Sequence, residues 1–288
     1  MNFDTQLRHL VNEALQEDLG DGDHSTLSCI PPDIKGKAIL KIKEAGILAG
    51  MEVAKKIFEF REAESVFTAF KKEGEPMKPG EIAFEIKASV HSILQCERLV
   101  LNCMQRMSGI ATLTKSYVDK LKGYQTKLLD TRKTTPNFRL LEKEAVRIGG
   151  GVNHRFGLYD MIMLKDNHID FCGGIENAIA KAGQYVKDKK PALKIEIETR
   201  SIEDVEKVIS AGTGIVFRIL LDNFTPSQIS QALSLINGQF ETEASGGINL
   251  DNIQQYAATG VDYVSVGALI HQARSLDLSL KAVVNRES

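Results

Sequence analysis

Several features that mark other protein classes are missing from this chain of 288 residues. It has no tryptophan and only 6% aromatic residues, so the base stacking used by single-strand nucleic-acid binders is poorly supported. The formal net charge is −2, so no overall positive field attracts nucleic acid, and we expect no such partner. No apolar run approaches 20 residues, so we expect no membrane span.

The cysteines and the N-terminus also exclude some classes. The N-terminal stretch MNFDTQLRHLVNEAL alternates charged and apolar residues and lacks the apolar core of a signal peptide. The cysteines form no CxxC pair and lie far apart, which is not typical of a zinc site or a disulfide framework. We therefore expect reduced thiols and a cytoplasmic protein. The four cysteines are Cys29, Cys96, Cys103 and Cys172.

The first part of the chain predicts a small α+β domain with an open sheet. Apolar residues at helical spacing indicate an amphipathic helix over 3–19, and a long helix is predicted from about 92 to 121. Between them lie four short β-like runs, separated by glycine and proline turns. These runs are 37–43, 46–50, 65–71 and 82–88.

From residue 127 onward, strand-like and helical segments alternate strictly. This alternation indicates a parallel sheet with helical crossovers. No glycine-rich dinucleotide loop follows the first strand, which favours a barrel of fewer than eight strands over a doubly wound sheet. The predicted strands are 127–130, 161–164, 194–198, 215–221, 241–245 and 263–266, and the predicted helices are 138–148, 175–187, 202–211, 226–236 and 250–258.

Chemically capable residues follow all six of these strands. In barrels, active sites are built at the carboxyl ends of the strands. Any one of these residues could be an ordinary solvated loop residue, but six strand ends out of six favour an active site. The residues are Asp130, Arg132 and Lys133, then Lys165 to His168, Glu196 and Glu198, Asp222, Ser245 to Gly247, and Gly267.

Glycines at the last two strand ends predict a phosphate site. Glycine lets backbone N–H groups approach an anion closely, and a following helix N-terminus adds its dipole. We expect Gly246 and Gly247 to open the helix near 250–258, and Gly267 to open a segment at 269–274. Ser245 precedes this glycine pair and belongs to the same predicted site.

Two carboxylates, Glu198 and Asp222, end neighbouring predicted strands and could face each other across the rim. One reading is that they place a magnesium ion or accept hydrogen bonds from sugar hydroxyls. The other is a structural salt bridge with nearby cations. The residues by themselves leave both readings open.

Cations are concentrated between residues 130 and 168. Three of them, Arg139, Lys143 and Arg147, recur at i, i+4 and i+8 on one predicted helix, which is typical of a solvated face. The others lie in loops or at a strand end, and arginine matches a carboxylate with two parallel donors. Two arginines and a histidine in one cleft would suit a small diacid. These other cations are Arg132, Lys133, His154, Arg155 and Lys165.

The long helix adds Arg98 and Arg106 on one stripe, together with Asn102 and Gln105. The opposite stripe is apolar, with Val100, Cys103, Met104 and Met107. A solvated polar face is the simpler reading of the stripe on its residues alone.

Eight blocks of the sequence closely resemble one family, the quinolinate phosphoribosyltransferases, also called nicotinate-nucleotide pyrophosphorylases (carboxylating). They occur in family order over almost the whole chain. The combination of TRKTTP with NHR and KDNH is especially specific. The blocks are EDLGDGDHST, ERLVLNCMQRMSGIAT, DTRKTTPNFR, GGGVNHRFGLYDMIMLKDNHI, IEIET, LLDNF, EASGGI and SVGAL.

The resemblance implies transfer of the phosphoribosyl group of 5-phosphoribosyl-1-pyrophosphate to quinolinate, with magnesium required. The products would be nicotinate mononucleotide, pyrophosphate and carbon dioxide, as in de novo NAD biosynthesis. It also implies an incomplete, six- or seven-stranded α/β barrel with an N-terminal α+β open-faced sandwich domain. We place the sandwich at 1–112, joined by 270–288, and the barrel at 113–269. A homodimer is implied, in which each N-terminal domain closes the partner's barrel.

Roles carry over residue by residue onto the matching motifs. The catalytic residues would be Lys133, Lys165, Glu198 and Asp222, with the last two also serving magnesium and the ribose hydroxyls. Quinolinate would be bound by Arg132, His154, Arg155 and Lys165, joined by Arg98 of the partner subunit. The 5′-phosphate would be bound by Ser245, Gly246, Gly247 and Gly267.

The chain departs from the family pattern in two places. Asn137-Phe138 replaces the more common Gly-Leu, and the stretch 212–218 looks about three residues longer than usual, which makes the register toward Asp222 less certain. Three alternatives stay open. They are a Schiff-base aldolase that uses Lys165, a non-catalytic sensor of diacids or phosphates, and a paralogous enzyme, such as the molybdenum-operon paralogue, with a different carboxylate substrate.

Overall fold

The structure is a computed structural model, and it describes residues 2–283. No helix in this range is both long enough and apolar enough to cross a membrane. The helices are α1 (Phe3–Leu19), α2 (His24–Cys29), α3 (Met51–Arg61), α4 (Val90–Lys120), α5 (Arg139–Ile148), α6 (Asp166–Cys172), α7 (Ile175–Lys189), α8 (Ile202–Gly212), α9 (Pro226–Ile236), α10 (Ile253–Ala257) and α11 (Ala268–His271). The strands are β1 (Lys35–Ile42), β2 (Gly46–Ile47), β3 (Val66–Ala69), β4 (Pro76–Met77), β5 (Ile82–Ser89), β6 (Lys127–Leu129), β7 (Ile162–Leu164), β8 (Ile195–Thr199), β9 (Arg218–Asp222), β10 (Glu241–Ser245), β11 (Tyr263–Ser265) and β12 (Leu278–Ala282).

Contacts divide the chain into two compact units. The first comprises the described residues up to Lys115, the segment Thr134–Gly150 and the described residues from Leu269 on. The second comprises Ser116–Lys133 and Gly151–Ala268. The domain boundaries given above stay predictions, and residues 284–288 of the 270–288 segment lie outside the described range.

The first unit contains a four-stranded antiparallel sheet with the strand order β12-β1-β5-β3. Alternate residues of β1 are buried, as expected for a strand with one face on the core. Leu40 of β1 lies opposite Phe84 of β5 and Leu280 of β12, so the C-terminal strand completes this sheet. Phe84 also meets Phe58 of α3 edge to face, with the ring centroids 6.5 Å apart.

The second unit is built on a six-stranded parallel sheet with the order β6-β11-β10-β9-β8-β7. The fold is an α/β barrel, as predicted, and it is incomplete. Outside β6, Val152 forms a single parallel bridge with Leu129. All five residues of β8 are buried, and Glu196 and Glu198 of this strand point to the face opposite Ile195 and Ile197.

Two predicted boundaries in this unit were wrong. β9 begins at Arg218, not at 215, because Ile215 and Val216 donate backbone hydrogen bonds to Gly212 in the turn that ends α8. α10 begins at Ile253, not near 250, because Asn249 and Asn252 use their side chains to hold a turn over 249–252. Side chains of this kind compete with helix formation.

Helices α2, α3 and α6 were not predicted, and neither were β4 and β12. α2 is a single short segment of six residues, begun by the side chain of Asp23. α3 follows Gly50, whose φ of 95° is left-handed, so no side-chain cap announces its start. Helices α2 and α6, with six and seven residues, are too short for a helical period to emerge.

Glu62, directly after α3, ties together two strands of the first sheet. Its carboxylate accepts hydrogen bonds from Lys35 Nζ at 2.7 Å, from the Ser89 amide at 3.0 Å and from the Ser89 hydroxyl at 2.7 Å. Burial by itself raises the pKa of Glu62, but these donors outweigh it and lower the pKa to about 2. The carboxylate therefore stabilises the fold only while it is ionised.

We expect Glu62→Gln to lower the free energy of unfolding by about 1–2 kcal/mol at pH 7, since hydrogen bonds to charged groups contribute on this scale. A depressed pKa stabilises above the unfolded value of about 4.3, and this contribution is lost as the pH falls toward 2. The difference between wild type and variant should shrink between about pH 5 and pH 2. Urea unfolding across this range measures it. The exposed Glu64 gives the control Glu64→Gln, and an equal difference at pH 3 and pH 7 would contradict the prediction.

Candidate active site

The carboxyl ends of the six parallel strands meet at one edge of the second sheet, as parallel pairing requires. The polar residues predicted to follow the strands therefore share this rim. Asp222 ends β9 and Ser245 ends β10, and the two are direct partners in the strand register. Glu198 lies one position before the end of β8, and Lys165 follows β7. Gly267 follows β11 by two residues.

Two guanidinium groups lie close together on the rim. The Nε atom of Arg132 is buried and, within the described part of the chain, makes no hydrogen bond. Arg155 donates from Nη1 to the Met161 carbonyl at 3.1 Å. Burial and then the charge of Arg132 lower the pKa of Arg155. Two adjacent guanidiniums with an unused buried donor form an arrangement suited to an anion, above all a carboxylate.

Asp130 anchors the segment that carries His154 and Arg155. Its carboxylate is fully buried and accepts hydrogen bonds from the His154 amide at 2.8 Å and from Asn153 Nδ2 at 2.6 Å. The Asp130 amide in turn donates to the Val152 carbonyl. The sequence marks Asp130 only as a polar strand end, and the structure shows that it shapes the loop.

His154 points into the barrel, and only 6% of its side chain is exposed. Its Nδ1 accepts the Arg155 N–H at 2.7 Å, and its Nε2 lies 3.0 Å from Glu196 and 3.3 Å from Glu243. Burial by itself lowers the pKa of His154, but the two carboxylates outweigh it and raise the pKa to about 9. Protonation of Nδ1 would break the hydrogen bond that this atom accepts from the Arg155 amide. This hydrogen bond therefore acts against a second proton on the His154 ring.

Glu196 and Glu243 belong to a buried charged cluster that the sequence did not predict. Both carboxylates lie beside Arg218, whose Nη1 is 3.8 Å from Glu196 and 3.1 Å from Glu243. Burial and the charge of Glu243 raise the pKa of Glu196 to about 7. The clue available in the sequence was the alternation of charged and apolar residues in IEIET and ETEAS, which puts acidic residues on an interior strand face.

Glu198, Asp222 and Lys165 form a second group on the rim. Lys165 Nζ lies 3.8 Å from Glu198 Oε2, and Asn223 Nδ2 donates to Asp222 at 2.6 Å. Burial raises the pKa of Glu198, Lys165 lowers it, and Asp222 raises it again, with a net upward shift. The ion pair with Lys165 thus supports the interpretation of Glu198 as part of a salt bridge. Two carboxylates on adjacent strands are also hard oxygen ligands of the kind that magnesium binds.

Both glycines of the turn after β10 have a left-handed backbone conformation. Gly246 has φ 96°, and a Cβ there would overlap the Asn223 side chain, so only glycine fits. Gly247 has φ 65°, but no described atom lies within 4 Å of a Cβ built on it. α10 begins only at Ile253, and α11 after Gly267 has four residues. No helix N-terminus directly follows Gly247, so the expected contribution of a helix dipole to the phosphate site is absent there. The backbone N–H groups of the turn are the remaining candidate donors to a phosphate.

Several cations of the first unit differ from expectation. Arg98 is exposed on α4, in agreement with a solvated stripe. Arg106, eight residues on, instead donates to buried Glu142 at 2.8 Å and to the Ile270 and Ala273 carbonyls. Lys143 is buried, so the prediction that α5 presents a solvated cationic stripe was wrong for this residue, whereas Arg139 is half-buried and donates to Thr134 at 2.9 Å. The i,i+4 pattern does not reveal which side of a helix faces the core.

Comparisons with known proteins agree over nearly the full length. Family models match at residues 23–108, the N-terminal domain of quinolinate phosphoribosyl transferase, and at 110–281, its C-terminal domain. A chloroplastic nicotinate-nucleotide pyrophosphorylase (carboxylating) of Oryza sativa is 42% identical over 96% of this chain and 77% of its own. A probable enzyme of the same name from Bacillus subtilis is 41% identical over 98% of this chain and 96% of its own.

The solved structures give the same result. NadC from Streptococcus pyogenes superposes with a TM-score of 0.89 and 42% identity, covering 97% of this chain and 98% of its own. The nicotinate-nucleotide pyrophosphorylase of Francisella tularensis gives 0.88 and 36%, with 97% of both chains covered. On these matches and on the rim geometry, the chain belongs to the quinolinate phosphoribosyltransferase family.

Proposed function

We propose that the rim of the second unit is where the two substrates of the family's reaction meet. The chain is a phosphoribosyltransferase that joins quinolinate to 5-phosphoribosyl-1-pyrophosphate with decarboxylation. The observation that carries the proposal is the pair Arg132 and Arg155, with its unused buried donor at Arg132 Nε. Quinolinate offers two carboxylates to such a pair. Release of carbon dioxide and pyrophosphate from the two compounds tests the activity directly.

The chemistry needs positioning and charge but no protein nucleophile. The pyridine nitrogen attacks the anomeric carbon, and pyrophosphate leaves with the electron pair of the broken C–O bond. Loss of the carboxylate next to the ring nitrogen then leaves its electron pair on the ring carbon, which takes up a proton. The nitrogen is cationic by then, so the substrate itself serves as the electron sink. Arg132, His154 and Arg155 are proposed to bind the carboxylates and hold the ring in line for attack.

Four residues are proposed to act on the leaving pyrophosphate and the ribose, namely Lys133, Lys165, Glu198 and Asp222. Lys133 and Lys165 place positive charge where the pyrophosphate develops negative charge, an effect that is strongest in a preorganised site. Glu198 and Asp222 would hold magnesium or accept hydrogen bonds from the ribose hydroxyls. When bound, the ion supplies further positive charge against the pyrophosphate. The lysine of the Schiff-base alternative would have to be desolvated, whereas 49% of the Lys165 side chain is exposed.

A homodimer is also part of the proposal. Arg98 lies in the first unit and is exposed, whereas the other proposed site residues belong to the second. Its guanidinium would bind the quinolinate carboxylates in the site of a second copy, which would make Arg98 of the partner subunit a quinolinate ligand.

A cytoplasmic location completes the proposal. It is supported by free cysteines, two of them buried, with the pKa of Cys96 and Cys103 each raised to about 12 by burial. Plant relatives are named chloroplastic or mitochondrial.

We expect Arg155→Ala to lower kcat/KM by about 100-fold or more, because each hydrogen bond between charged groups contributes about 1.5–3 kcal/mol. The effect should appear mainly in the KM for quinolinate. Steady-state kinetics with each substrate varied in turn measures this. Arg147→Ala is the matched control, since Arg147 is exposed on α5 and pairs with Glu144. Wild-type kinetics in the Arg155 variant would refute its role.

Gly247 and Gly260 allow a matched test of the phosphate site. Both have positive φ, and a Cβ on either meets no described atom within 4 Å, but Gly260 lies before β11, at the opposite end of the sheet. Each Ala variant should lose about 1–2 kcal/mol of stability from left-handed backbone strain. Only Gly247→Ala should raise the KM for 5-phosphoribosyl-1-pyrophosphate, by about tenfold, a typical loss of 1.4 kcal/mol. Equal KM values in both variants would remove Gly247 from the site.

Mixed dimers test the contribution of Arg98. Arg98→Ala and Lys133→Ala should each be nearly inactive as pure proteins. After subunit exchange, a hybrid dimer contains one site in which both residues are intact, so up to about a quarter of the wild-type sites should recover in an equal mixture. Exchange is verified with two differently tagged chains. Recovery near zero despite complete exchange would contradict an active site shared between subunits.

A further inference from the structure

The interior of the barrel contains charged residues where branched aliphatic side chains usually fill a barrel. The register places Arg218 of β9 beside Glu196 of β8 and Glu241 of β10. Glu243 lies two residues along β10 on the same face. Glu196 and Glu243 are at most 1% exposed, and Arg218 is 8% exposed. Burial of charged groups costs desolvation free energy, and aliphatic side chains would fill the barrel without this cost. A functional reason for these charges is therefore expected.

Arg218 is the cation that lies among these carboxylates, although both Glu196 oxygens are buried without a hydrogen bond to any described residue. Its guanidinium lies 3.1 Å from Glu243, 3.8 Å from Glu196 and 2.8 Å from Glu241. The ring of Tyr263 lies against the guanidinium, with its centroid 4.2 Å away. Three carboxylates and one aromatic face therefore hold the guanidinium from several sides, which fixes the positions of the carboxylates in turn.

The cluster reaches the rim through His154. The imidazole Nε2 contacts Glu196 and Glu243 at 3.0 and 3.3 Å, and Nδ1 accepts the backbone N–H of Arg155 at 2.7 Å. The backbone of His154 is held separately by Asp130 at 2.8 Å. The orientation of the ring thus links the buried carboxylates to the residue whose guanidinium lies beside Arg132.

A metal ion is the competing explanation for this geometry. One ligand atom each from His154, Glu196 and Glu243 lie within 4.8 Å of one another, as a metal site requires. However, Arg218 Nη1 already contacts both carboxylates from the same interior. A divalent cation would meet the repulsion of this fixed positive charge, so the guanidinium serves as the resident cation of the cluster.

We infer that Glu196, Glu243 and Arg218 are positioning residues that orient the His154 ring and, through its Nδ1, the Arg155 backbone for quinolinate binding. The inference rests on the proposed function of the rim. None of the three residues is assigned a contact with substrate. Their effect should therefore appear in the affinity for quinolinate and not in the affinity for the activated sugar.

Two glutamates of β10 provide a matched pair of variants. Glu243 and Glu241 both contact Arg218, but of the two only Glu243 contacts His154. Glu243→Gln should raise the KM for quinolinate by about tenfold, a loss of affinity typical of a weakened charged contact. The KM for 5-phosphoribosyl-1-pyrophosphate should change less than about twofold. Glu241→Gln should leave both constants within about twofold, because Glu241 contacts Nε and Nη2 of Arg218, whereas Glu196 and Glu243 contact Nη1.

Folding and ring orientation are checked separately. Circular dichroism and thermal unfolding establish that each variant is folded. If Glu243→Gln is not, Glu196→Gln takes its place, because it keeps the closer contact between Glu243 and Arg218. Nitrogen-15 NMR of the imidazole, assigned by comparison with His154→Asn, should show a changed ring environment in Glu243→Gln and an unchanged one in Glu241→Gln.

Three results would overturn the inference. One is an unchanged KM for quinolinate in a folded Glu243→Gln or Glu196→Gln variant. Another is an equal rise in both KM values in the two β10 variants, which would indicate general loosening of the barrel. The third is a stoichiometric metal ion in purified wild type that is lost in Glu243→Gln. An inactive wild type would instead refute the proposed function, so the two failures are distinguishable.

Discussion

The site depends on holding like charges together before substrate arrives. Arg132 and Arg155 lie close enough that the charge of one lowers the pKa of the other. Two unit charges 4 Å apart repel by about 1 kcal/mol in water and by about 4 kcal/mol near a protein surface. Glu196 acts in the opposite direction on Arg155, and buried Asp130 fixes the backbone of the same loop. Acidic groups beneath the rim thus stabilise a positive surface, the surface to which we propose that the doubly anionic substrates bind.

This requirement accounts for the polar interior of the barrel. An aliphatic filling would have supported the strands at lower desolvation cost. It would have offered no acceptors for His154 Nε2, which meets Glu196 and Glu243 there. Arg218 in turn places a positive charge beside both carboxylates. Acidic groups in the interior therefore lie directly beneath His154 and Arg155.

Helix α4 has two separate uses along its length. Arg98 is exposed, in keeping with a role toward a second copy of the chain. Arg106, two turns later, joins Glu142 of α5 to the carbonyls of Ile270 and Ala273, and Glu142 also accepts from the amide and hydroxyl of Thr135. The buried pair thereby fixes the end of the TRKTTP motif. A single polar stripe thus contains one exposed arginine and one arginine that supports the interior.

The sequence by itself determined the alternation of strands and helices after residue 127, the barrel class and the residues at the strand ends, because these depend on local periodicity and on short motifs. It also identified the family, since eight blocks occur in order. Only the tertiary structure decided which cations are buried: Arg106 and Lys143 share an i,i+4 spacing with solvated residues, and spacing does not say which neighbour covers a face. It alone also united Glu196, Arg218 and Glu243. These residues lie on three strands, far apart in the chain, and they meet because parallel pairing sets their register.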